Sequence, residues 1–122
     1  MFKVDISKDL SLIVRMRQIL GCSQEVFARI NRVSLRNVIR WEKNRIRPGR
    51  SSIKKLNKLE ELCKELLDTF KSKRDINGWL KTPNDALEGR TPIQEICYAK
   101  TQEEGINRII SLLGTMEWGI YT

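Results

Sequence analysis

The sequence predicts an all-α protein, a helix–turn–helix bundle followed by a second, small helical unit. Three observations carry that expectation. Apolar residues recur at spacings of three and four along nearly the whole chain, and no segment alternates as a strand would. Capping residues and breakers punctuate the sequence at short intervals. The sign of the charge also reverses midway: residues 1–58 hold 15 Lys and Arg against 4 Asp and Glu, and residues 59–122 hold 8 against 11.

The elements follow in order. A first helix is expected from Asp9 to Leu20, with Leu12, Ile13, Met16, Ile19 and Leu20 on one face and Gly21 ending it. Ser23 is a good N-cap for a second helix whose inner face is Val26, Phe27 and Ile30. Asn31-Arg32 makes a turn over Val33, and Ser34 caps a third helix that runs to about Lys43 and buries Val38 and Trp41. NRIRPGRSS reads as a polar loop. A longer fourth helix is expected from Ser52 to Phe70, with the stripe Ile53, Leu56, Leu59, Cys63, Leu66 and Phe70. KSKRD reads as a charged hinge, dividing a unit at 1–71 from one at 72–122. A short helix ends at Trp79-Leu80 before Pro83, and TPNDALEGR is an irregular loop. Thr91, Pro92 and Gln94 form a capping box with proline at the first helical position. Thr101 and Glu104 repeat the box. The last helix buries Ile106, Ile109, Ile110 and Leu113, and Gly119 ends it before a short tail.

Composition narrows the function. No apolar run approaches the roughly 20 residues of a membrane helix, and the start MFKVDISKDL has no apolar signal core, so a cytoplasmic protein is expected. There is no histidine, and the three cysteines form no CxxC pair. Zinc sites of the usual kinds and Ser-His or Cys-His nucleophiles are therefore excluded. Each cysteine is expected at an apolar helix position, where packing accounts for it. No phosphate-binding glycine loop is present. The expectation is a binding protein, without enzymatic activity, cofactor or metal.

The net charge of +8 is concentrated around the third predicted helix, where Glu42 is the only acid between Arg29 and Lys58. A merely solvated face would mix signs. Arg36, Asn37 and Arg40 share the face opposite Val38 and Trp41, close to the Ser34 cap. A helix of this kind suits the major groove of double-stranded DNA, where arginine pairs bidentately with guanine. Gln24, at the start of the second helix, is placed for a phosphate, and Lys43, Arg45, Arg47 and Arg50 form a cationic loop beyond.

The segment LIVRMRQILGCSQEVFARINRVSLRNVIRWEKNRIRP resembles the helix–turn–helix of the phage-repressor and Xre type, through R-x-x-L-G-x-S-Q, then A, V-S and W-E. The resemblance implies a structural Arg17–Glu42 ion pair. The family's turn usually carries glycine where Arg32 stands, and a positive φ there would cost about 1 kcal/mol. Further on, WLKTPNDALEGRTPIQEI resembles the toxin-binding domain of Xre/MbcA/ParS antitoxins, through Trp79, Leu80, Thr82, Pro83, Asn84, Ala86, Leu87, Gly89, Arg90, Thr91 and Pro92. Glu88 replaces the usual glycine. The ending GINRIISLLGTMEWGIYT matches through Leu112, Leu113, Gly114, Glu117 and Gly119, with Trp118 in place of the usual histidine.

This second resemblance implies an antitoxin of a toxin–antitoxin system whose partner is a RES-type, NAD-degrading toxin. Its terminal helix and tail, Glu117, Trp118, Gly119, Ile120, Tyr121 and Thr122, would plug the toxin's cleft. It also implies a homodimer within a larger complex that represses its own operon. Aromatic anchors at a free chain end fit a binding hot spot. The competing reading folds Trp118 back as a lid on the core. Arg90 and Thr82 are expected to hold their loop through hydrogen bonds to carbonyls, and Trp79 to be core. The rival functions are a plain transcriptional regulator whose second half only dimerises, and a scaffold whose helix–turn–helix has lost DNA affinity.

Overall fold

The computed structural model describes residues 9–117. Among them are seven α-helices, one 3-10 turn and no strand: α1 Ser11–Leu20, α2 Gln24–Asn31, α3 Leu35–Glu42, α4 Arg50–Thr69, α5 Lys73–Leu80, the turn Asp85–Leu87, α6 Pro92–Tyr98 and α7 Gln102–Glu117. The all-α expectation holds.

Local chemistry sets the ends. Asp9 lies ahead of α1 and accepts the Ser11 amide at 3.2 Å, so the helix begins two residues later than its apolar pattern suggested. Gly21 closes α1 at φ 62°, and a Cβ there would run into the Asn77 side chain of α5. The hydroxyls of Ser23, Ser34, Ser72 and Thr91 each accept the amide three residues on. Thr91 and Gln94 form the full capping box, with Pro92 opening α6. At α7 the Glu104 amide donates to the Thr101 hydroxyl at 3.1 Å.

Four expectations need correction. KSKRD is not a hinge: Ser72 caps α5, and Lys73, Arg74 and Asp75 form its first turn. Helix α4 starts at Arg50, capped by Gly49, and ends at Thr69, with Phe70 in extended backbone. Cys22 is not helical but lies between Gly21 and the Ser23 cap. Asn31 is the last residue of α2, fully buried, and the turn belongs to Arg32, at φ 53°, and Val33.

One cluster of buried side chains runs from Leu10 to Leu113 and draws on every helix. Trp41 and Phe27 are its largest members, and Leu56, Leu59, Leu62 and Leu66 line it along α4. The tightest approach lies between α6 and α7. A Cβ on Gly105 would sit 2.8 Å from the Ile96 Cα, so only glycine allows the two backbones to meet there.

Polar ties join the first half to the second inside this core. The Gln102 carboxamide donates to Asn31 Oδ1 at 2.8 Å and to the Lys55 carbonyl at 2.9 Å. Asn31 in turn donates to the Phe27 carbonyl at 2.9 Å. Arg32 donates to the carbonyls of Ile30 and Ile96, both at 2.9 Å, and of Ala99 at 2.7 Å. One residue of α7 thus satisfies buried groups on α2 and α4. Gln102→Ala leaves buried Asn31 Oδ1 without its donor and takes the second hydrogen bond from the Lys55 carbonyl, which keeps its helical partner, and unfolding in urea should show a loss of about 1–3 kcal/mol.

Candidate nucleic-acid and toxin interfaces

The front of α3 is held from behind. Val38 and Trp41 are buried in the core. Below them Arg17 grips Glu42 with two parallel bonds, Nε to Oε2 at 2.7 Å and Nη2 to Oε1 at 2.9 Å. The hydrogen bond to Glu42 is the main reason the Arg17 pKa is raised. Gln24 Nε2 donates to the same Oε1 at 2.9 Å. Gln24 is thus a third member of the brace, a role its position at a helix start did not disclose. Its amide NH is engaged with Glu42, whereas the sequence placed it for a phosphate.

On the other face Ser34, Leu35 and Arg36 are exposed, with Asn37 and Arg40 half-buried beside them. The Ser34 hydroxyl accepts the Asn37 amide at 3.1 Å and fixes the first turn. Lys43, Arg45 and Arg47 are exposed in the segment after α3. That segment turns at Asn44, which takes φ 60° while the Arg45 amide returns to the Arg40 carbonyl at 2.9 Å. Arg36, Arg40, Lys43 and Arg45 make no ion pair among the described residues. With Glu42 consumed by Arg17 and Gln24, the surface of α3 carries uncompensated positive charge.

The second surface lies around the turn after α5. The Asn84 side chain accepts the Ala86 amide at 2.9 Å, and its backbone pairs with Arg90 and Gly89. Glu88 adopts φ 58°, the strained backbone that explains why glycine suits this position. The Thr82 hydroxyl bonds the Gly78 carbonyl at 2.6 Å, as expected. Arg90 does not bond carbonyls through its side chain. It pairs with the carboxylate of Glu95, Nη2 to Oε1 at 2.6 Å, and more distantly with Glu88 at 3.6 Å. Glu95 is only 2% exposed and takes Arg108 of α7 on its other oxygen. No motif flagged this buried carboxylate, because in sequence it reads as one more acid in a helix's first turn. Trp79 is half-buried rather than core, tilted against Phe70 with ring centres 5.6 Å apart. Helix α7 continues to Glu117; Trp118, Gly119, Ile120, Tyr121 and Thr122, expected to form the plug, lie outside the described residues, as does the Glu117 side chain.

The family described as the antitoxin Xre/MbcA/ParS C-terminal toxin-binding domain matches residues 65–119. Residues 65–119 thus match an Xre/MbcA/ParS antitoxin domain. The match begins inside α4 and takes in the Glu95 cluster and all of α7, so α4 belongs to both halves of the molecule. The chain is also similar in fold to one in the crystal structure of the M. tuberculosis MbcT–MbcA toxin–antitoxin complex. That likeness has a TM-score of 0.69 and 24% identity, covering 93% of this chain and 96% of the other. No curated protein matches the sequence. Among the described residues, no helix is long and apolar enough to cross a membrane.

The thiols are quiet. Burial pushes Cys22 from its ordinary 9.0 up to about 11, and raises Cys63 and Cys97 as well. Folding therefore favours the neutral thiol at Cys22. The stability this contributes is present below pH 9 and is lost as the pH climbs toward 11, because the unfolded chain ionises first. Between pH 8 and 10.5, urea unfolding should show the wild type losing stability relative to Cys22→Ser.

Proposed function

We propose that this antitoxin neutralises a RES-type toxin, an enzyme that destroys NAD, and represses its own operon by binding DNA as a homodimer. The toxin-binding match over residues 65–119 carries the first part, since it includes α7 and leads into the aromatic-tipped tail. In this reading α7 delivers Glu117, Trp118, Gly119, Ile120, Tyr121 and Thr122 into the toxin's cleft and blocks substrate by occupancy. The inhibition needs no chemistry from the antitoxin itself.

The second part rests on the uncompensated cationic front of α3. Arg36 and Arg40 reach base edges, Ser34 and Asn37 assist at the first turn, and Lys43, Arg45 and Arg47 meet phosphates. Gln24 acts here through the brace, keeping α3 seated on α2. The boundary of labour falls near residue 71, with DNA read by the first 71 residues and the toxin held by the rest.

Two measurements test the two parts separately. Deleting residues 117–122 should abolish rescue of cells expressing the neighbouring toxin gene while promoter binding stays within twofold; rescue that survives the deletion refutes the plug. Arg36→Ala with Arg40→Ala should weaken promoter binding by at least tenfold and leave rescue intact, each good bidentate contact being worth about 1–3 kcal/mol. Wild-type affinity should also fall steeply with salt, as expected when several phosphates are neutralised. Equal promoter affinity in the double variant would leave α3 without a role in DNA.

A further inference from the structure

Three large apolar side chains stand exposed among the described residues: Leu35 at 38%, Leu67 at 49% and Tyr98 at 71%. Leu35 differs from the others in its setting. It is the first residue of α3, directly after the Ser34 cap, and its neighbours on the surface are Ser34 and Arg36. Its helix is fixed from behind by Val38 and Trp41, both nearly inaccessible, and by the Arg17–Glu42 pair. An apolar side chain is thus held out at the leading end of a helix whose polar neighbours carry positive charge.

That charge selects a polyanion as the occupant. In the major groove of DNA the base edges offer donors, acceptors and one apolar feature, the C5-methyl group of thymine. We infer that Leu35 reads a thymine methyl, and so makes thymine a determinant at one position of the operator. The inference rests on the DNA-binding reading above and extends it to a residue with no hydrogen-bonding capacity. Arg36 and Asn37 can select guanine and adenine through paired hydrogen bonds. Leu35 supplies what they cannot, discrimination of thymine from cytosine. Cytosine presents an amino group where thymine has a carbonyl, and lacks the methyl. Packing Leu35 on that edge would strip water from the amino group without giving it a partner.

The test uses the purified full chain and duplexes it selects from a random-sequence DNA pool. Each thymine of the selected sequence is replaced in turn by deoxyuridine, which lacks only the C5-methyl group, and affinity is read by fluorescence anisotropy. At one thymine the wild type should lose about fourfold in affinity, the equilibrium equivalent of leaving one methylene-sized group unburied. Leu35→Ala should bind the thymine and deoxyuridine duplexes alike at that position, and Leu35→Met, which keeps an apolar side chain, should retain part of the preference. Wild-type affinity unchanged by every replacement, or a full fourfold preference persisting in Leu35→Ala, would overturn the inference while leaving DNA binding intact. Failure to select any duplex would remove the DNA-binding reading, and this one with it.

Discussion

The architecture depends on how Arg32 is used. The turn between α2 and α3 forces a left-handed backbone, which costs a side-chain-bearing residue about 1 kcal/mol relative to glycine. Arg32 accepts that conformation and extends its guanidinium to the Ile96 and Ala99 carbonyls at the end of α6. Those carbonyls are among the last of a helix, where the aligned peptide dipoles favour a cation. Charge-assisted hydrogen bonds of this kind contribute about 1.5–3 kcal/mol each. The two of them more than offset the strain, so arginine at this turn is a gain for the whole chain. It ties the turn to a helix more than sixty residues away.

With that clamp in place, the polar ties around it follow. Gln102 at the start of α7 reaches Asn31 at the end of α2, one residue before Arg32, and the Lys55 carbonyl of α4. Lys55 in turn donates to the Arg32 carbonyl at 3.4 Å. The network draws on four helices, α2, α4, α6 and α7. A continuous apolar core surrounds it. The helix that carries the cationic face and the helix that leads to the tail are therefore parts of one packed body, joined by more than covalent succession.

How much of this was legible in the sequence divides along a physical line. Helix number, caps and inner faces were legible because they are local: a Ser or Thr two or three residues ahead of an apolar repeat shows its role within one turn. The Arg17–Glu42 pair was reached only through family resemblance, since 25 residues separate the partners. Gln24 in the brace, Glu95 between two arginines and Gln102 under α2 were invisible for the same reason. Each is a polar residue whose partner is distant in sequence, and nothing in its neighbourhood distinguishes burial from solvation. KSKRD misled because charge density resembles a linker, whereas Ser72 is a helix cap and the residues after it form a solvated first turn.

The same distinction bears on the charged face. A stable protein has no structural need for Arg36, Arg40, Lys43 and Arg45 to follow one another along a short helix and the turn after it, because like charges at such spacing repel in the folded state. Neutralisation was available from one nearby acid, and the fold spends it elsewhere: both oxygens of Glu42 face Arg17, and one also takes Gln24. Glu42 thereby secures the rear of α3 while leaving its front unneutralised. Stability and charge are served by opposite faces of one eight-residue helix, and among the described residues no carboxylate pairs with Arg36, Arg40, Lys43 or Arg45 on the front, which leaves that face open to an external anion. Under the proposed DNA-binding reading, the regularly spaced phosphates of a duplex would supply that anion, and its groove admits a helix of this width.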